Sequence, residues 1–262
     1  MTRVGALAVA SPPRVRDRLR AAPDGPVPVV HSGAHALYVE VGGWCIGVIA
    51  PTAVRVPCAL RLGAQPPATE QLSGFAPSGP ISAYLEGGTL HVGRRPLPIG
   101  RLEATYVPRF DPGAVFGTEA YSVTVKATPP ATVAEFAAAH LPRGRIDADT
   151  AARLIGRGDG LTPLGDDMLA GWLALHRAAG VATEDVDAVV RTHAPRTTLL
   201  SATLLDCALH GEVIPEYAAW MRALGTLDAA ARARTLGSVG GSTSAGLLHG
   251  GLLALTQLSE AA

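Results

Sequence analysis

The sequence predicts an α+β protein: an N-terminal antiparallel β-barrel or sandwich-like domain over residues 1–128, then a C-terminal α-helical domain over residues 129–262. Three observations carry this. From Val27 to Lys126, runs of four to eight residues rich in Val, Ile and Leu alternate with Gly and Pro turns, the texture of short strands. At Thr128–Pro129–Pro130 this gives way to Ala- and Leu-rich stretches with helical spacing. Finally, 262 residues that are 48% hydrophobic and 17% charged suffice for one large core or two smaller ones.

Taken in order, residues 14–22 (RVRDRLRAA) read as a short basic helix ended by Pro23, Asp24 and Gly25, a solvated lid rather than a site. Leu37–Val41 and Trp44–Ile49 pair as a hairpin across Gly42–Gly43, and VRVPCALRLG supplies a further strand. Ala64 to Pro80 reads as a proline-rich loop. Strands resume in ISAYLEGGTLHVG with a second hairpin at Gly87–Gly88, and Tyr121–Lys126 closes this half. Extended backbone would put His31 and His35 on one face. Ser32–Gly33 marks a turn, however, and no third ligand is adjacent, so these two and His91 read as ordinary polar surface.

In the second half TVAEFAAAHL is helical, Pro142 and Gly144 break it, and Asp147 or Asp149 caps the next helix, DTAARLIG. Helices follow at Asp166–Ala179, Thr183–Thr192, Arg196–His210, Ile214–Leu224, Leu227–Leu236 and Thr243–Leu258, with no repeat period.

Composition narrows the function. Twenty-two basic residues balance twenty-two acidic ones without like-charge runs, so nothing marks a nucleic-acid or polybasic membrane surface, and a small molecule or protein partner is expected. Cys45, Cys58 and Cys207 have neither CxxC spacing nor an even count, which points away from disulfides or a zinc knuckle and towards a reducing cytoplasm. No apolar run reaches bilayer length. Residues 4–10 (VGALAVA) are followed at once by Arg14 to Arg20 and read as an ordinary N-terminus.

Three stretches can carry chemistry. In GRGDGLTPLGDD, Gly156, Gly158 and Gly160 stand at every second position before Thr162, Pro163 and two adjacent acids, Asp166 and Asp167, at a helix mouth. A cap and a first-turn acid would explain the carboxylates at about 1 kcal/mol with no ligand. The flexible loop, the hydroxyl and the paired acids exceed what a cap needs. Two carboxylates repel a bare phosphate, and the GK[ST] ending of a P-loop is absent; they suit a Mg²⁺ ion shared with a phosphate, or the NH₂ of an amide or carbamoyl group. In GSVGGSTSAGLLHG, Gly241, Ser242, Thr243 and Ser244 open the last helix and leave its first N–H groups to a phosphate or carboxylate; close helix packing by small residues is an equal alternative. In RTTLLSATLLDCALHGEV, Thr197, Ser201, Leu204, Leu205 and Ala208 share a helical face, His210 suits a C-terminal cap, and Arg196 could clamp a carboxylate or form a surface ion pair. No GxSxG elbow or Cys–His spacing points to nucleophilic catalysis.

These three stretches, in order and spacing, resemble the AllH-type proteins, once classed as a domain of unknown function and associated with oxamate carbamoyltransferase. VPVVHSGAHALYVE and RVPCALRL stand where that family has its N-terminal β segments, so the resemblance covers most of the chain, and GLTPxGDD is its most specific part. It implies a subunit of a multi-protein carbamoyltransferase of allantoin and purine breakdown, interconverting oxalurate plus phosphate with oxamate plus carbamoyl phosphate. On that reading Thr162, Asp166 and Asp167 are the catalytic candidates, the two acids orienting a carbamoyl NH₂ or holding Mg²⁺. Gly158, Gly160, Arg196, Ser201, Gly241, Ser242, Thr243 and Ser244 are the candidates for binding substrate and phosphate. Carbamoyl transfer needs mainly positioning and stabilised charge on the carbonyl oxygen, so no nucleophile is required. Asp159, Ser242, Ala245 and Leu247 depart from the family pattern, which leaves a related carbamoyl or amide substrate open. Two other classes stay in view: a non-catalytic assembly or ligand-sensing subunit, and a Mg²⁺-dependent phosphate-transferring enzyme.

Overall fold

A computed structural model describes residues 6–63, 81–118, 129–141 and 143–261. The expected loop Ala64–Pro80, the expected strand Tyr121–Lys126 and the expected boundary at residue 128 lie outside the described residues. The chain is α+β and divides into two compact units, Met1–Thr105 and Tyr106–Ala262. Among the described residues no helix is long and apolar enough to cross a membrane.

The first unit carries β1 (Val9–Ser11), α1 (Pro13–Ala21), β2 (Gly25–Val27), β3 (Val29–Ser32), β4 (Ala36–Val41), β5 (Trp44–Ile49), β6 (Ala59–Leu62), β7 (Ala83–Glu86), β8 (Thr89–Val92), β9 (Arg95–Leu97) and β10 (Ile99–Leu102). A six-stranded sheet runs β10-β1-β6-β5-β4-β3 and a four-stranded one β2-β7-β8-β9. Both Gly–Gly turns form hairpins: Val41 pairs Trp44, Glu86 pairs Thr89, and all four glycines have φ between 54° and 75°, the region that tight two-residue turns demand.

Two expectations fail in this unit. The larger sheet is mixed, because β5 and β6 run parallel, as do β1 and β10, and among the described residues neither sheet closes into a barrel. Residues 50–58, with Pro51 and Pro57, return the chain to the starting end of β5 instead of reversing it in a hairpin. β5 is buried at all six positions, which is why it reads as an unbroken apolar run. Nor is α1 a solvated lid. Val15 and Leu19 are buried, and the guanidinium carbons of Arg14 and Arg18 lie 4.8 and 4.6 Å from the centre of the Trp44 ring, so two of its cations cover an aromatic face. His31 and His91 lie on different sheets, and His91 stacks on Tyr84 with ring centres 4.3 Å apart.

The second unit carries α2 (Pro112–Val115), α3 (Ala131–His140), α4 (Ala148–Leu154), α5 (Leu164–Ala179), α6 (Glu184–His193), a 3₁₀ turn (Ala194–Arg196), α7 (Leu199–Leu209), α8 (Pro215–Arg222), α9 (Ala229–Gly237) and α10 (Ser242–Glu260). Asp147 is the residue that caps α4, accepting the Thr150 N–H at 2.8 Å. α5 is the centre: every residue from Gly165 to His176 is buried. α10 lies against it in backbone contact. A Cβ on Gly171 would stand 2.0 Å from the Leu247 carbonyl oxygen, and one on Gly250 1.8 Å from that of Met168, so only glycine lets the two helices approach this far. Tyr217 of α8 fastens the pair by donating its hydroxyl to the Gly171 carbonyl at 2.7 Å.

Candidate functional site

The glycine loop between α4 and α5 is folded by close approach as much as by backbone freedom. Gly156 has φ 75°, and a Cβ there would stand 2.5 Å from the Arg196 carbonyl oxygen; Gly158 has φ 113°, with its Cβ position 2.7 Å from the Leu164 nitrogen. Gly160 has φ 89° and open space at its Cβ position, so there it is the backbone conformation, not a neighbour, that calls for glycine. Gly165, at the start of α5, is pressed against α4, its Cβ position 2.2 Å from the Leu154 carbonyl oxygen.

The acids are not caps of their own helix. Pro163 occupies the N-cap and makes no side-chain bond. Asp166 instead gathers donors from elsewhere: the Gly156 N–H at 2.9 Å, the Ser201 hydroxyl at 2.7 Å and the Thr197 hydroxyl. It is buried, and burial raises its pKa while these three bonds pull it down. Its role is to tie the loop to α7 and the residues before it.

Asp167 is different. It is 4% exposed, and its Oδ2 has no hydrogen-bond partner among the described residues. Burial, then the neighbouring Asp166, push its carboxyl up to about 9, against the opposing pull of the Thr243 and Thr162 hydroxyls. At neutral pH it therefore holds its proton and can donate a hydrogen bond.

The second turn meets the first here. Gly240 and Gly241 have φ 68° and 64°, Gly241 is the uncapped N-cap of α10, and the Thr243 and Thr162 hydroxyl oxygens are 2.8 Å apart. The two glycine turns thus converge. Gly246 closes the joint, a Cβ there standing 2.8 Å from both the Asp167 Cβ and the Leu164 Cδ1. Ser244 is spent on the Val239 carbonyl, whereas Ser242 is exposed beside the first N–H groups of α10.

The remaining candidates separate. Ser201 is buried on Asp166, and Arg196 is exposed with Nη1 donating to the Ala152 carbonyl at 3.0 Å. His210 stands at the C-cap of α7 with Nδ1 2.7 Å from the Asp206 carbonyl oxygen. Thr197 and Thr198 carry more than sequence reasoning assigned them. The Thr198 hydroxyl accepts the Ser201 N–H as N-cap of α7 and donates to the Leu161 carbonyl at 2.6 Å, joining α7 to the glycine loop. A Thr–Thr pair directly before an apolar helix was the available signal.

The donor set does not suit Mg²⁺. Asp166 already accepts three hydrogen bonds, and no group of three His, Cys, Asp or Glu side chains gathers among the described residues. A hard dication needs ionised, open oxygens.

Residues 154–255, which contain both turns and the whole of α5, match the family model described as oxamate carbamoyltransferase subunit AllH. Over that segment the likeness to the AllH-type family holds. No curated protein and no solved structure matches the chain.

Proposed function

We propose that this chain is a subunit of an oxamate-type carbamoyltransferase, and that the mouth between residues 156–167 and 240–244 takes the substrate. The observation that carries the reading is the Thr162–Thr243 hydroxyl pair in front of a buried, protonated Asp167. In the direction that consumes oxalurate, a phosphate oxygen attacks the terminal carbamoyl carbon. The bond from that carbon to the oxamate nitrogen breaks, and the phosphate's proton passes to this nitrogen, leaving oxamate and carbamoyl phosphate. The free N–H groups of α10, with Ser242, receive an anion. Thr162, half-buried, meets the substrate and donates towards the carbonyl oxygen where charge grows, while Asp167 behind it supplies the proton that keeps the hydroxyl pair oriented. Asp166 and Ser201 are positioning residues that hold the loop, and exposed Arg196 is set to pair with the substrate carboxylate.

The test is to assemble the chain with candidate partner subunits, supply oxalurate and phosphate, and measure carbamoyl phosphate. Thr162→Val should lower kcat by about 10²-fold, the scale for a lost donor to a developing oxyanion. An active assembly indifferent to Thr162→Val and to Asp167→Ala, which removes the donor behind it, contradicts the proposal. It favours the second reading, a non-catalytic assembly or ligand-sensing subunit, which rests on the glycines of α5 and α10 serving helix contact alone. The Mg²⁺-dependent phosphate-transfer alternative has the unsuitable donor set against it.

A further inference from the structure

We propose that a groove beside the C-terminal half of α5 binds a small guanidinium compound. The groove, about 520 Å³ in volume, is lined among others by Asp147, Trp172, His176, Glu184, Asp185 and Val186. That volume lies within the range of small-ligand sites. It shares no lining residue with the glycine loop or the α10 turn.

His176 supplies the observation that points to a ligand. It is 5% exposed, and its Nδ1 lies 2.9 Å from the Trp172 carbonyl oxygen. A carbonyl only accepts, so Nδ1 carries the hydrogen and Nε2 of the neutral ring presents a lone pair. No group among the described residues bonds to that Nε2. The ring is held in place: its centre is 3.8 Å from that of Trp172, whose indole N–H is fixed by Gln257 Oε1 at 2.8 Å. Burial lowers the imidazole pKa and keeps the ring an acceptor at neutral pH.

The remaining polar wall is acidic. Asp147, Glu184 and Asp185 line the groove, and among the described residues no Lys or Arg does. Arg177, the cation that acts on His176, is engaged by Asp187 at 2.5 Å, Thr183 at 2.9 Å and the Leu209 carbonyl at 2.8 Å. The uncapped start of α6 offers partial positive charge, but the formal charges of Glu184 and Asp185 at that same end outweigh it. An acceptor nitrogen, several carboxylates and an aromatic–aliphatic floor call for a flat cation with several N–H donors. With several N–H donors in one plane, a guanidinium can serve an acceptor nitrogen and a carboxylate together, which an ammonium point charge does less well.

Agmatine is the probe; carbamoylputrescine, which keeps the chain and its ammonium but has a neutral ureido group in place of the guanidinium, and inorganic phosphate are the controls; calorimetry at low salt is the measurement on the full chain. Agmatine should bind saturably with a Kd on the order of 0.1–1 mM, the scale for so small a ligand. His176→Phe, which keeps a stacked ring but removes the acceptor, should weaken it at least about tenfold. The pair Glu184→Gln and Asp185→Asn, both exposed, should weaken it about 3-fold and flatten its salt dependence. Absence of saturable binding at about ten times the upper Kd overturns the proposal. So does equal binding of the ureido analogue, or affinity unchanged in both variants. Should His176→Phe fail to fold, the surface double variant decides alone.

Discussion

Replacing Asp167 by Asn should stabilise the protein, and by an amount that depends on pH. The native carboxyl titrates at about 9, the unfolded one near 3.8. Between those values the unfolded chain releases a proton that the folded chain retains, so stability falls as pH rises through this window. Across the whole window the penalty is on the order of 7 kcal/mol, at about 1.4 kcal/mol per pH unit, and at pH 7 it is about 4 kcal/mol. Asparagine keeps the size, offers a donor and an acceptor to the Thr162 and Thr243 hydroxyls, and carries no charge to desolvate. Urea unfolding at pH 4.5, 6 and 7.5 measures the difference. The variant should match the parent near pH 4.5 and exceed it by about 2–4 kcal/mol at pH 7.5, once relaxation around the buried group is allowed for. A difference constant with pH would refute the reasoning. A loss of stability that grows with pH would mean that Asp167 is ionised and paired, and would reopen the case for a cation.

Other outcomes follow from the same geometry. Gly250→Ala must push α5 and α10 apart at a 1.8 Å contact, and should cost about 3 kcal/mol or more in denaturant unfolding. Thr197→Val leaves one oxygen of buried Asp166 short of a donor; it should cost about 2 kcal/mol and raise the Asp166 pKa further, visible in carboxyl ¹³C titration. Asp147→Ala removes the cap of α4 for about 1 kcal/mol, read as a lowered Tm. Gly42→Ala, at φ 56° with no neighbour in the way, should cost about 1 kcal/mol through backbone strain alone.

How much of this was legible depends on the range of each interaction. The hairpins at Gly42–Gly43 and Gly87–Gly88 announce themselves because tight turns need positive φ. The helices do so because their apolar spacing is local. Strand direction is not local: the alternation in Ala59–Leu62 is the same whether it runs with or against β5. The helix expected from Arg196 starts only at Leu199, since a 3₁₀ turn ends at Arg196 and Thr197 is extended at φ −118°, ψ −179°. Asp166 and Asp167 look equivalent in the sequence. Helical geometry turns one towards Gly156 and α7 and the other towards α10, giving one three bonds and the other an empty oxygen. The meeting of Thr162 with Thr243 was also beyond reach. It is set by Gly171, Gly246 and Gly250, and in so glycine-rich a chain these three have nothing to mark them out.

The Thr162–Thr243 pair also imposes an order of events on synthesis. The two hydroxyls are 81 residues apart in the chain. At roughly 5–20 residues per second, the acidic loop waits about 4–16 s for its partner to be made. During that wait Asp167 is wet, ionised and without α10 above it. Docking of α10 must then capture a proton from water as it closes, so completion of this joint is an acid–base step that a more alkaline medium opposes.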